Sequence, residues 1–282
     1  MPSLQQLRRR LKSVKSIHQI TRAMEMVATS KMKMATKKAI LARNYSNAIE
    51  EILSSLTNGT HLLMQKNELK NIAIIFITSD RGLCGGFNSS LLRKLCQFTE
   101  EQKEKNISII TVGKKGREFV LKLFKDCIVA DFTEIKDEIL YEETTPIAHF
   151  LTESFKDKKY SNVYIVYSHY ISSFNQEPTI VQLLPVTKTK NDVQNIEYLI
   201  EPTRKEILDD LVSLFIEIKI FQSLLESKAS EYSARMVAMR NATENAKDLM
   251  DELYLTYHSL RQTTITSELI EMATAKKAME DE

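Results

Sequence analysis

A chain of 282 residues, 43% hydrophobic and 27% charged, is long enough for one or two cores and has an ordinary soluble composition. Its net charge of +2 selects no partner class, and three scattered cysteines (Cys84, Cys96, Cys127) without a CxxC pair argue against a disulfide framework or a zinc site. They fit reduced thiols in a cytosolic compartment, and no apolar run approaches the roughly 20 residues of a membrane helix.

The N-terminal segment is basic and amphipathic, as transit peptides are, but its pattern runs on into the following helix, so it reads as mature chain. Between Ser3 and Asn58 there is no Gly or Pro over 56 residues, and none from Thr203 to Glu282 over 80 residues. At 1.5 Å rise these windows correspond to roughly 84 and 120 Å of helix. Every glycine, and every proline but Pro2, falls at positions 59 to 202. Two helical arms (1–58 and 203–282) therefore flank a compact middle (70–202).

On the N-terminal arm Leu4, Leu7, Leu11 and Val14 begin a heptad seam. The apolar pattern then slips at Ile17 and Ile20 and resumes with Met24 and Val27, the signature of a locally overwound coiled coil. The first 43 residues also hold eleven Lys or Arg against one acid, Glu25, a local net charge of +10. Solvated helix faces normally mix signs. Nucleic acid, a membrane surface or an acidic protein surface could each meet such an arm. With Tyr45 as its one aromatic and its basic residues set along an apolar seam, the arm favours an acidic protein.

The middle reads as α/β. Short β-rich runs occur at 71–79, 106–113, 127–131 and 162–170, with helical candidates "SLLRKLCQFTEEQKEK" after the first and "KKGREFVLKLFK" after the second. Strand–helix alternation implies a Rossmann-like domain with a mostly parallel sheet. The proline-bounded run at 178–186 reads as an edge strand. The turn "TSDRGLCGGFN" contains Gly82, Gly85 and Gly86, yet lacks both the GxxxxGK[ST] and GxGxxG fingerprints. It reads as a structural strand-to-helix turn needing positive φ, with Asn88 or Ser89 as helix N-cap, although an anion at the helix N-terminus stays open. The five histidines form no metal-binding pair, and no nucleophile motif is present, so the residues give no positive sign of catalysis, cofactor or metal.

Pro202 suits the first turn of the C-terminal arm. Its seam runs through Ile207, Leu211, Leu214, Ile218, Phe221 and Leu225, then Lys228, Tyr232, Arg235, Met239, Ala242, Ala246, Leu249, Leu253, Thr256 and Leu260. Polar seam residues such as Lys228 and Arg235 fix register, or mark where the arm meets another protein. The small residues Ala234, Ala238, Ala242 and Ala246 permit close helix approach. The simplest arrangement is a long antiparallel coiled coil of the two terminal helices beside the α/β middle.

Four segments, "LRRRLKSVKSIHQITRAMEMVATSKM", "TSDRGLCGGFN", "ASEYSARMVAMRNATENAKDL" and "RQTTITSELIE", resemble the signature regions of the γ subunit of F-type ATP synthase, in order and spacing. The resemblance implies a non-catalytic, cofactor-free rotor that turns inside a hexamer of α and β subunits. Its foot would sit with an ε subunit on the membrane c ring, peripheral to the cytoplasmic face of a bacterial inner membrane, without nucleic acid. By motif, Met24, Lys31, Lys33, Arg235, Arg261, Gln262, Thr266 and Glu268 match positions that contact or couple to β, with Arg9 and Arg10 nearer the tip. Tyr198 and Glu201 match foot positions that touch the c ring. Ala275 stands where the family usually has a glycine. Two other classes remain open: a basic coiled-coil nucleic-acid binder and an α/β nucleotide enzyme whose arms dimerise. On the rotor reading, Met24→Lys adds an attraction to an acidic loop of β, and ion pumping should lose its fixed ratio to ATP hydrolysis. Fully linked pumping in that variant would reject the assignment.

Overall fold

The computed structural model describes residues 3–56, 61–65, 67, 69–133, 135–136, 138–187, 201 and 203–280. Its elements, in order, are α1 (Leu4–Leu56), β1 (Asn71–Ile77), α2 (Phe87–Glu101), β2 (Asn106–Val112), α3 (Lys114–Leu123), β3 (Ile128–Phe132), α4 (Thr145–Lys156), β4 (Asn162–Tyr170), β5 (Gln176–Leu184) and α5 (Arg204–Glu280). The expected strands and the two expected middle helices are present; α4 lacked a sequence assignment. The chain divides into two compact units, one of residues 1–27 with 237–282, the other of residues 28–236.

The larger unit is built on a five-stranded sheet in the order β3-β2-β1-β4-β5. β1 pairs in parallel with β2 and β4, and β2 with β3, while β5 runs antiparallel along β4 at the edge. This is a doubly wound order, with chain direction through the sheet reversing between β1 and β4. Strand alternation divides the core between the two faces. From β1, Ile72, Ile74 and Phe76 join Phe87, Leu91 and Leu95 of α2 and Val120 of α3. Ala73, Ile75 and Ile77 join α4 and the helix pair on the other face. Because both faces are covered, β1 is a continuous buried run rather than an alternating one.

Within this unit α1 and α5 lie antiparallel. Lys31 meets Tyr232, Arg43 meets Glu226, and Glu50 meets Lys219, so numbers rise on one helix as they fall on the other. Between Leu214 and Ser233 no residue of α5 is exposed. Its heptad positions Ile218, Leu225 and Tyr232 are buried, and so are Val212, Ile216, Ile220 and Leu224 off that seam. The apolar seam captured only part of this helix, which belongs to a core that also takes in α1, α4 and four of the five strands.

In the smaller unit Leu7, Leu11, Met239 and Ala246 are buried, and Thr243 Oγ1 donates to Thr21 Oγ1 at 2.9 Å. α1 opens with a capping box: Ser3 Oγ accepts from Gln6 N, and Gln6 Oε1 accepts from Ser3 N. α5 opens with Thr203 Oγ1 accepting from Glu206 N, while the reading of Pro202 lies outside the described residues.

The predicted slip in the α1 seam is corrected. Ile17, Ile20, Met24 and Val27 are 49, 57, 41 and 56% exposed. The inward positions are His18, Thr21, Glu25 and Ala28, one residue later in each case. With them the steps of three and four run unbroken from Leu4 through Val14, Ala28, Met32, Ala39, Ser46 and Leu53 to Leu56. Polar and small side chains occupy the inward face there, so hydrophobicity alone followed the neighbouring stripe. On α5, Leu249 and Thr256 are also exposed despite their heptad positions.

Ile218 is 3% exposed in the middle of the doubly covered part of α5. Ile218→Pro should cost about 3 kcal/mol or more, by removing one helix hydrogen bond and clashing with the preceding turn. A urea unfolding midpoint equal to that of the parent chain would contradict this placement.

Candidate functional site

The carboxyl ends of parallel strands are where doubly wound domains hold ligands. Here that edge carries the turn Thr78–Phe87, Gly113 and the N-terminus of α3. Each of the first three N–H groups of α3 is already engaged. Lys114 N donates to Asp80 Oδ1 at 3.0 Å, Lys115 N to Ser79 O at 3.0 Å, and Gly116 N to Thr78 Oγ1 at 2.8 Å. A helix N-terminus attracts anions through unsatisfied N–H groups, and Asp80 supplies the negative charge from within the chain. Behind it is a cavity of about 10 Å³, lined by Thr78, Asp80, Gly113, Leu224, Lys228 and Glu231 among others, with room for about one water.

The turn itself has the wrong polarity for phosphate. Arg235 Nη2 lies 3.1 Å from Arg81 O and 3.3 Å from Gly82 O, and its Nε lies 3.4 Å from Gly82 O. A phosphate cradle offers N–H groups; this loop offers carbonyl oxygens to a guanidinium. Arg235 also pairs with the buried carboxylate of Glu231 at 2.8 Å, which Lys228 joins at 3.3 Å. Lys31 and Arg235 lie over the ring of Tyr232, with centroid distances of 5.7 and 5.6 Å. Thus Lys31, Arg235 and Gly82, selected separately by motif, gather around one buried tyrosine and one turn.

Inside the turn the expected cap is corrected. The N-cap of α2 is Gly86, with no side-chain cap bond, and Asn88 is a buried helical residue whose side chain faces back. Asn88 Oδ1 accepts from Ser79 N at 3.2 Å, and its Nδ2 donates to Ser79 Oγ at 2.7 Å. Ser89 Oγ donates to Gly86 O. Of the three glycines only Gly85 has positive φ, at 56°; the other left-handed residue is Leu83, at 62°. Cys84 is buried here, and that burial raises its thiol pKa, which suits packing rather than reactivity.

The remaining sequence candidates do not converge. Met24 and Lys33 are exposed on α1, as are Arg9 and Arg10. Arg261, Gln262, Thr266 and Glu268 are exposed on α5, where Thr266 Oγ1 donates to Gln262 O. Glu201 is exposed just before α5, and Tyr198 lies outside the described residues. Among the described residues no metal-binding cluster occurs, and no helix is long and apolar enough to cross a membrane.

Sequence reasoning missed Glu226. Its carboxylate is fully buried, with Oε1 2.8 Å from Arg43 Nε and 2.9 Å from Gln222 Nε2, and Oε2 2.5 Å from His169 Nδ1. Its one signal was an acid that, apart from Lys228, stands in an apolar or small stretch, "SLLESKAS".

The larger unit is thus a doubly wound α/β domain whose ligand edge is filled by its own side chains and whose sheet packs on two antiparallel helices. The chain belongs to the ATP synthase family, whose model matches residues 3–279. It is 41% identical over 286 aligned positions to the ATP synthase gamma chain of Pelotomaculum thermopropionicum, and 40% identical to that of Dehalococcoides mccartyi. Each alignment covers 99% of this chain and all of the relative. Among solved structures, a chain from the central stalk and c ring of the Tetrahymena thermophila mitochondrial ATP synthase is 27% identical, with a TM-score of 0.64, covering 79% of this chain and 99% of that one. A chain from the Euglena gracilis mitochondrial enzyme (OSCP, F1 and c ring) shares the fold at 20% identity and a TM-score of 0.70, covering 98% and 94% of the two chains.

Gly113 has φ of 101°, and a Cβ there would lie 2.4 Å from Thr78 O. Gly113→Ala should destabilise the domain by about 2–4 kcal/mol, whereas Gly82→Ala, with open space around it, should stay within about 0.5 kcal/mol. Urea unfolding of the two variants side by side checks the contrast, and similar midpoints would refute it.

Proposed function

We propose that this chain is the rotating central-stalk subunit of an F-type ATP synthase, linking ion flow through a membrane c ring to ATP synthesis or hydrolysis in an α/β hexamer. The observation that carries it is the end-to-end correspondence with ATP synthase gamma chains. The helix pair would serve as the shaft and the α/β domain, with an ε subunit, as the foot on the ring. The chain itself is non-catalytic in this reading, and the nucleotide sites lie in the hexamer. It works on the cytoplasmic face of a bacterial inner membrane, bound to the membrane only through the ring.

The physical fit is specific. A shaft must carry torque, which long unbroken helices packed on each other do better than loops. It must also step past several similar subunits without binding one permanently. Exposed charges on α1 can guide such stepping, because each contact is replaced by an equivalent one. Met24, Lys33, Arg261, Gln262, Thr266 and Glu268 are all exposed and are proposed to meet β. Lys31 and Arg235 hold Tyr232 and the turn, so their proposed influence on β passes through the local shape of the helix pair. Glu201, and Tyr198 by motif alone, are proposed to touch the ring.

Co-expression with the α, β and ε subunits of an F-type ATP synthase should yield a complex with ATPase activity that retains the chain through gel filtration at high salt. Elution of the chain alone, with salt-sensitive binding to DNA or RNA, would favour a basic coiled-coil nucleic-acid binder instead. Saturable ATP binding by the isolated chain would favour a nucleotide enzyme.

A further inference from the structure

We infer that Glu226 is a positioning residue that locks the helix pair to the sheet, so that turning the α/β domain turns both helices together; this rests on the rotor reading. Three structural elements end on its carboxylate. Arg43 brings α1, at 2.8 Å from Oε1, and His169 brings the last turn of strand β4, at 2.5 Å from Oε2, while Glu226 itself belongs to α5. Arg43 also spans the gap directly, since its Nη2 donates to Tyr170 O at 2.8 Å. One residue before His169, Ser168 O accepts from Ser230 Oγ at 3.1 Å. Successive residues at the end of β4 therefore hold one or both helices by directional bonds.

The placement of charge distinguishes this network from ordinary packing. Apolar contacts resist separation but have little preference for direction, and helix ridges can shift along a greasy surface in small steps. A fully buried carboxylate held by a guanidinium, an imidazole and an amide cannot slide without exposing an unpaired charge to a dry interior, so the resistance to shear is concentrated there. Its donors come from different elements, and all three must move together. Gln222, from the preceding turn of α5, fixes the carboxylate plane through a bond of 2.9 Å. The titratable and charged groups facing the site are Arg43 from α1, His169 from β4 and Tyr167 from β4, whose phenol pKa is raised by burial first and by Glu226 second.

The test uses the complete synthase in sealed vesicles. With an uncoupler present, so that no gradient opposes rotation, the Glu226→Gln complex should hydrolyse ATP at the parent rate. As the gradient builds, its ratio of ions pumped to ATP hydrolysed should fall about threefold, at the low end of coupling for residues in one ion-pair network. A merely structural defect would lower the unloaded rate or the yield of complex and would not depend on load. If Glu226→Gln prevents assembly, His169→Gln at the half-exposed rim takes its place, with the same load-dependent loss expected. Unchanged pumping under load in an assembled variant, or a loss equal with and without the gradient, overturns the lock. Failure of the parent chain itself to join the hexamer would instead overturn the rotor reading.

Discussion

Everything in the larger unit depends on α5 being buried from two directions at once. One stripe of this helix follows the heptad spacing and meets α1, and a second meets the sheet and α4. A helix with apolar residues on all sides would ordinarily be insoluble alone or sit in a membrane. Here the second covering is supplied by the domain inserted between the two helices in sequence. The consequence is mechanical as much as thermodynamic, because the sheet cannot leave α5 without uncovering Val212, Ile216 and Leu224.

The same geometry disposes of the ligand edge. α5 runs past the carboxyl ends of β1 and β2, bringing Lys228, Glu231 and Arg235 to the position a bound nucleotide would take in other doubly wound domains. Asp80 then neutralises the start of α3 from within. The glycine-rich turn keeps the sharp bend that such loops need but reverses its electrostatics, turning carbonyls toward a cation. Fold and ligand-binding habit are thus separable. The strand order alone suggests a nucleotide site, and the side chains along its edge have filled it.

Most of the fold was legible in the sequence because its signals are local. Long stretches without Gly or Pro marked α1 and α5, and β-branched runs marked all five strands. The seam of α1 was legible only where its inward residues were apolar. At His18, Thr21 and Glu25 the inward face is polar, and the eye is drawn to Ile17, Ile20 and Met24 on the next face. α4 carried a local signal that went unread: Thr144 and Pro146 stand at its start, and Ile147, Ala148, Leu151 and Phe155 recur at helical spacing. The site was legible in part. Arg235 and the glycine turn stood out by type, but their meeting joins residues more than 150 positions apart. Glu226 was illegible for the same reason, since its partners are 183 and 57 positions away.

The displaced stripe on α1 explains why the polar seam is tolerated. A seam of His18, Thr21 and Glu25, with Thr21 bonded to Thr243, gives up apolar burial inside the smaller unit, and polar inward positions hold a register more tightly than they stabilise it. The apolar side chains thereby left outside, Ile17, Ile20, Met24 and Val27, form a row beside exposed Arg and Lys. A permanent partner would bury such a row completely and hold it. A partner met in succession by a turning helix needs contacts that form and release, and a narrow apolar row bordered by charge gives modest affinity with long-range guidance. The residue choice that weakens the inner seam is therefore the same choice that equips the outer face, and in the proposed rotor the two requirements are met by a one-residue offset along a single helix.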